Sequence, residues 1–180
     1  VSAAYFLRFA AINGTGGDGF WEETISPDVS TGLDASTMPH QLVNTAPDTF
    51  EVQPIPWVNR LVGDDVTNKH PSFVGQKINQ SFFHNNRLGF LSADTVSMSQ
   101  SGDFFNMYHA SAQAVVASDP VDLSANALKP VALHSVLPTT QGLVLFSANQ
   151  QFLMSSSDGI LTPTKASIRT ISSYEMDTVI

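Results

Sequence analysis

Phe82-Phe83-His84-Asn85-Asn86-Arg87-Leu88-Gly89-Phe90-Leu91-Ser92 is the stretch whose reading decides the fold. β-favouring residues run up to a pair of asparagines and resume directly behind it. Asparagine enters the left-handed backbone region more readily than most residues, so Asn85-Asn86 suits a two-residue type I′ turn. The stretch predicts a hairpin, with one strand from Lys77 to His84 and the return strand from Arg87 to Ser92. Downstream, Thr95 to Ser99 alternates, with Val96 and Met98 on one face. Ser101-Gly102-Asp103 then turns the chain, and Phe104 to Tyr108 is expected as another strand. The Ala-rich residues 110–117 allow a helical turn, and strand signals return at Leu143 to Ser147, Gln151 to Ser155 and Ala166 to Ile171.

Upstream, Tyr5 to Ala10 and Phe20 to Ile25 form a predicted hairpin around the glycine-rich loop Asn13-Gly14-Thr15-Gly16-Gly17-Asp18-Gly19. Leu42-Val43 and Phe50 to Ile55 form a second pair, with Pro54 and Pro56 keeping the latter at an edge. Residues 26–41 and 58–76 are long connections, and the latter is the expected boundary between two sub-structures. A repeat is also visible. Leu88-Gly89-Phe90-Leu91-Ser92-Ala93-Asp94 resembles Leu143-Val144-Leu145-Phe146-Ser147-Ala148-Asn149 at an offset of 55 residues (143 − 88). Each copy continues to a Met-Ser pair and then to a Ser/Asp/Gly turn. Several strands in a period near ~50 are what propeller blades show. The fold expected from the residues is therefore all-β, with a partial propeller-like repeat favoured over a plain sandwich.

Composition narrows the function classes. Of 180 residues 42% are hydrophobic, enough for a core, but only 13% are charged, about half the usual share. Such polar, weakly charged surfaces suit assemblies as well as monomers. There is no cysteine, which excludes disulfides and thiolate metal sites. No apolar run approaches the ~18 residues of a membrane span. The chain opens without a basic signal-peptide start and without Met, and stops at Thr178-Val179-Ile180 in expected β-structure, so an internal fragment of a longer polypeptide is expected. Net charge is −8. Residues 1–65 carry nine acids and two bases; residues 66–180 carry seven acids and six bases. A nucleic-acid binder would show clustered Lys and Arg instead.

The constellations that could carry chemistry are weak. His40, His70, His84, His109 and His134 show no metal-binding spacing. Glu22-Glu23 and Asp64-Asp65 are adjacent, and neighbours on a strand point to opposite faces, so neither pair is a natural acid/base couple. The glycine run at 14–19 lacks the Lys-Ser/Thr of a phosphate-binding loop, and no Gly-x-Ser-x-Gly elbow occurs. The turns preceding Phe20-Trp21 and Phe104-Phe105 resemble the Asp-box of sialidase propellers in outline only, since no segment fits Ser-x-Asp-x-Gly-x-Thr-Trp. No catalytic, cofactor-binding or metal-binding residue is expected. Arg87 stands alone in a weakly charged stretch just after a turn, where a guanidinium can tie loops together through carbonyls or a carboxylate. Asp103, in the Gly102-Asp103-Phe104-Phe105 turn, is the second candidate structural residue.

Several stretches resemble the nozzle protein (tail tubular protein B) family of short-tailed bacteriophages. They are Asp34-Ala35-Ser36-Thr37-Met38-Pro39-His40, Pro71-Ser72-Phe73-Val74-Gly75, the Phe82 to Ser92 run and Met98-Ser99-Gln100-Ser101-Gly102-Asp103-Phe104-Phe105-Asn106. Asp119-Pro120-Val121-Asp122 and Leu161-Thr162-Pro163 extend the match in consistent order. The chain departs from the family where His84 and Asn85 stand at a position commonly occupied by Arg. The resemblance implies a virion component at the distal end of a short tail, without enzymatic activity or cofactor. It also implies a hexameric ring around a DNA channel, with the tail adaptor (tail tubular protein A) and the tail fibres as neighbours. It implies a platform part beside a propeller part, divided here as 1–66 and 67–180. Glu22, Glu23, Asp64 and Asp65 are then candidates for the lumen wall or an interface, past which DNA moves without sequence-specific binding. A sialidase-like propeller that binds or cleaves host surface glycan is the alternative from another functional class.

Overall fold

The structure is a computed structural model that describes residues 5–127 and 129–176. The described residues form twelve β-strands in four antiparallel sheets, with no helix among them. The expected β-structure at 178–180 lies outside the described residues. The chain folds as two compact units: residues 1–70 with 108–115, and residues 71–107 with 116–180.

The first unit holds two separate hairpins. Strands β1 (Phe6–Ala11) and β2 (Gly19–Thr24) pair antiparallel around the glycine loop. The amide of Ile12 donates to the Asp18 carbonyl at 2.9 Å, and Gly14, Gly16 and Gly17 take the positive φ values that the loop needs. Strands β3 (His40–Ala46) and β4 (Thr49–Pro54) pair around Pro47-Asp48, with Asp48 at φ 60. Pro54 ends β4 in a two-stranded sheet, where its missing N–H costs no ladder bond on the open side. Both hairpins are largely exposed; the interior of the unit lies instead among its connections. There Met38, Ile55, Val62, Tyr108, Arg60 and Asn68 are buried. Two of those six are among the most polar residue types, so this interior depends on hydrogen bonding as much as on apolar burial.

The second unit contains two four-stranded meanders. The first runs β5 (Ile78–His84), β6 (Arg87–Ser92), β7 (Thr95–Met98), β8 (Val121–Ser124); the second runs β9 (Leu133–Thr139), β10 (Gly142–Ser147), β11 (Gln151–Ser156), β12 (Ala166–Ser172). Asn85 and Asn86 have φ of 48° and 58°, the left-handed pair that a type I′ hairpin requires. The 55-residue offset recurs in the strands: β5 to β9 and β6 to β10 each step by 55 at both ends (133 − 78, 139 − 84, 142 − 87, 147 − 92). The correspondence ends after β7, where residues 99–120 are inserted before β8.

The meanders share one apolar core in which Leu91, Val96, Met98, Leu133, Leu143, Leu145, Phe152 and Met154 are essentially inaccessible. Strand β6 is buried along its whole length. One face meets that core, and the other is covered by the loop at 71–76, where Phe73 packs on Phe90 with ring centroids 4.8 Å apart. Asp122 fastens this loop: its carboxylate accepts the amide and hydroxyl of Ser72 (3.0 and 2.7 Å) and the hydroxyl of Ser97 (2.7 Å). Strand β9 is an edge strand and so tolerates Pro138. Side-chain amides of β5 serve its backbone, Asn79 donating to the Leu133 carbonyl and Gln80 accepting from the Val136 amide.

Gly89 leaves room for the ring of Phe82, because a Cβ there would lie 2.3 Å from the ring's Cζ. Gly89→Ala is expected to displace Phe82 from the core and to cost about 1–3 kcal/mol in chemical denaturation. Retained stability would show that the ring has somewhere else to go.

Two expectations fail. Residues 104–108 are not a strand: Gln100 takes the Asn106 carbonyl and Asn106 the Asp103 carbonyl, closing 100–106 into a tight loop. Phe104 then stacks edge-on against Phe83 at 5.3 Å. Nor do residues 110–117 form a helical turn. Side chains take the amides that a helix would use, with Glu23 accepting from Ala112, Ser111 from Gln113 and Ala114, and Asp119 from Val116.

Candidate functional site

Arg87 opens β6 and is only 2% exposed. Its Nη1 donates to the carbonyls of Ser99 (2.7 Å), Asp119 (2.7 Å) and Ser118 (3.2 Å), and its Nη2 to Ala117 (2.8 Å). One guanidinium thus gathers both ends of the 99–120 insertion that lie in the second unit. Burial pushes its pKa below the usual value, and the negative charge of the fully buried Asp119 opposes that shift. Asp103 is exposed, and it shapes its turn through its backbone. The adjacent Gly102 amide donates to the Asn86 carbonyl at 2.9 Å, which brings this turn to the hairpin tip beside Arg87.

The four candidate acids lie in the first unit, each with an intrachain partner. Glu22 faces Arg8 across the β1–β2 ladder at 2.6 Å. Glu23, on the other face, accepts the Ala112 amide at 3.3 Å. Asp64 organises a turn: its Oδ1 accepts the amides of Val66 and Thr67 and the Thr67 hydroxyl at 2.8–2.9 Å. Those bonds, the Thr67 amide first, lower its pKa below the ordinary carboxylate value. Asp65 is paired with Arg60 at 2.8 Å. Within the unit, then, two carboxylates sit on one hairpin and two on one turn.

Sequence reasoning missed the group around Arg60. That side chain is 1% exposed. It donates to the carbonyls of Asn68 (2.8 Å) and Ser30 (2.6 Å), and its guanidinium carbon lies 5.8 Å from the Tyr108 ring centre. Asn68 in turn donates to the carbonyls of Val62 and His109 and accepts the His109 amide. Tyr108 hydrogen-bonds His70 at 2.6 Å. Residues 108–115 are thereby fastened to the unit through side chains of residues 60–70. Only the placement of a lone Arg60 directly ahead of two apolar residues, Leu61 and Val62, could have signalled this.

Burial is also the main cause that raises the Tyr108 hydroxyl pKa to about 12 and lowers the His70 pKa below 6.5. The folded form therefore prefers neutral His70. Its contribution is complete above pH 6.5 and is lost as pH falls through the lowered folded pKa. The melting temperature of the first unit is expected to fall between pH 7 and pH 5. His70→Gln should flatten that slope, and an equal slope in the variant would assign it elsewhere.

No group of three or more His, Asp or Glu is placed to hold a metal among the described residues. Nor do the described residues contain a helix long and apolar enough to cross a membrane. The family described as bacteriophage nozzle protein matches residues 1–180. The chain belongs to that family. This nozzle-family chain is also 33% identical over 172 residues to the tail tubular protein gp12 of Escherichia phage T7. The match covers 96% of this chain and 21% of that protein, so the chain spans about a fifth of the length of the curated relative. Nothing in these comparisons supports the sialidase-like alternative.

Proposed function

We propose that this chain is a structural segment of a short-tailed phage nozzle, a non-enzymatic part of the ring through which DNA leaves the virion. The observation that carries the reading is the family match over the whole chain. The two meanders in 55-residue register support its finer form, in which β5–β8 and β9–β12 are consecutive blades of a propeller-like part within residues 67–180, and residues 1–66 form a platform-like part. A polar, weakly charged surface suits a subunit covered by copies of itself and by the tail adaptor and fibres. The excess of acids before residue 66 suits a wall that repels phosphate rather than binding it, with Glu22, Glu23, Asp64 and Asp65 on the lumen or an interface.

Virions labelled with gold-conjugated antibody against the parent protein test the placement. Gold confined to the distal tail is expected, and gold on the capsid or no incorporation into virions would refute it.

A further inference from the structure

Both hairpins of the first unit leave an apolar face open among the described residues. On β3–β4, Leu42 pairs with Val52 and Asn44 with Phe50, and alternation along the strands puts these four on one face. Leu42 is 67% exposed, Val52 67% and Phe50 60%. The opposite face, which carries Gln41, Val43 and Gln53, is the more buried of the two. The hairpin is therefore inverted, with its most apolar side chains in water and two of its amides partly covered. On β1–β2, Leu7, Phe9 and Trp21 share a face, and the rings of Phe9 and Trp21 meet edge-on at 5.5 Å. These three are 44%, 46% and 66% exposed. A two-stranded sheet is marginal in water unless an apolar face is covered, and a contiguous exposed apolar patch marks a contact surface.

Charge selects the partner. The segment carries a net charge of −8, so its copies repel wherever their acids meet. The β3–β4 face holds no acid: Glu51 lies on the reverse, bonded to Gln53 at 2.9 Å. The acid on the β1–β2 face, Glu23, is taken by the Ala112 amide, and Glu22 lies on the reverse with Arg8. A basic partner is matched by free carboxylates, which neither face offers. An uncharged apolar face suits an equally acidic partner, and a second copy of the chain is one. Two different faces of matching chemistry on one chain make a head-to-tail contact, the kind that closes a ring. At roughly 150–250 Å2 for a whole aromatic side chain, each face offers on the order of 300 Å2, the apolar centre of an ordinary interface of ~800 Å2 per partner.

We propose that the β3–β4 face of one copy packs on the β1–β2 face of the next, sheet against sheet. That the copies close a ring rests on the nozzle reading; the two open faces do not.

The test makes Phe9→Cys and Val52→Cys separately in the full-length parent protein, to which this segment contributes no cysteine. The two variants are co-expressed, and the assembly is treated with a bismaleimide that spans about 10 Å, the spacing of packed sheets. Cross-linked dimers are expected from the mixture, and none above the unaltered parent from either variant alone. No dimers from the mixture would overturn the proposal. So would dimers at equal yield from Val52→Cys alone, which would mean a symmetric contact between two β3–β4 faces. Val52→Glu places an unpaired charge in the contact and should weaken self-association at least about tenfold in sedimentation, while Glu51→Gln, on the reverse face, should leave it unchanged. Unchanged association of Val52→Glu would also overturn the contact. Rings seen by electron microscopy without cross-links would remove this contact and leave the nozzle reading standing, whereas absence of rings would count against both.

Discussion

Arg87→Ala is expected to destabilise the second unit by about 3–5 kcal/mol, the usual cost of removing one partner from a buried, charged network. The deleted guanidinium now satisfies carbonyls of Ser99, Ala117, Ser118 and Asp119. Without it, Ser99 and Asp119 keep buried carbonyls with one partner fewer, and the buried Asp119 carboxylate loses the nearby positive charge. Small domains hold only about 5–15 kcal/mol in total, so the loss is a large fraction of what is available. A melting temperature lower by more than ~10 °C is expected for a unit of this size. Arg87→Lys should recover only part of it, because one ammonium cannot reach carbonyls on both sides of a planar fork. Urea denaturation checks both variants. A change below ~1 kcal/mol for Arg87→Ala would show that the insertion is held by other contacts.

Arg60→Ala should have the next largest effect, about 2–4 kcal/mol, and in the first unit. The estimate counts two carbonyls, Ser30 and Asn68, left without their donor at about 1–3 kcal/mol each. The ion pair with Asp65 adds little, because that carboxylate is 66% exposed. The effect is large relative to the unit because its interior has so few apolar side chains. Arg60→Met separates the causes: it restores most of the packing against Tyr108 but none of the hydrogen bonds. Arg60→Met is expected to remain well below the unaltered chain in stability. If it matched that chain, packing alone would be the role of the residue.

The hairpins were legible because their signals are local. Asn85-Asn86 states its turn type, and Arg87 to Ser92 is continuously β-favouring. The 55-residue offset was legible because Leu88, Phe90 and Ser92 on β6 and Leu143, Leu145 and Ser147 on β10 are buried at matching positions. Strands β8 and β9 left little trace. Val121–Ser124 is four residues behind a proline, and Leu133–Thr139 carries Pro138, which only its edge position permits. Phe104 to Tyr108 has the composition of a strand, but Phe104 meets Phe83 from a closed loop. Composition records that an aromatic is buried and is silent on the backbone that delivers it. The Arg60 cluster was illegible for a related reason. Its partners are mostly backbone carbonyls, which every residue supplies, so no residue type marks them in advance.

The proposed placement makes this chain a wall segment of a ring-shaped phage nozzle. It is tested most directly by electron microscopy of the ring formed by the full-length parent protein. A six-fold ring with a narrow axial pore is expected, in which β5–β8 and β9–β12 are adjacent blades. A discrete monomer, or a ring whose density places the two meanders in unrelated parts of the subunit, would contradict it.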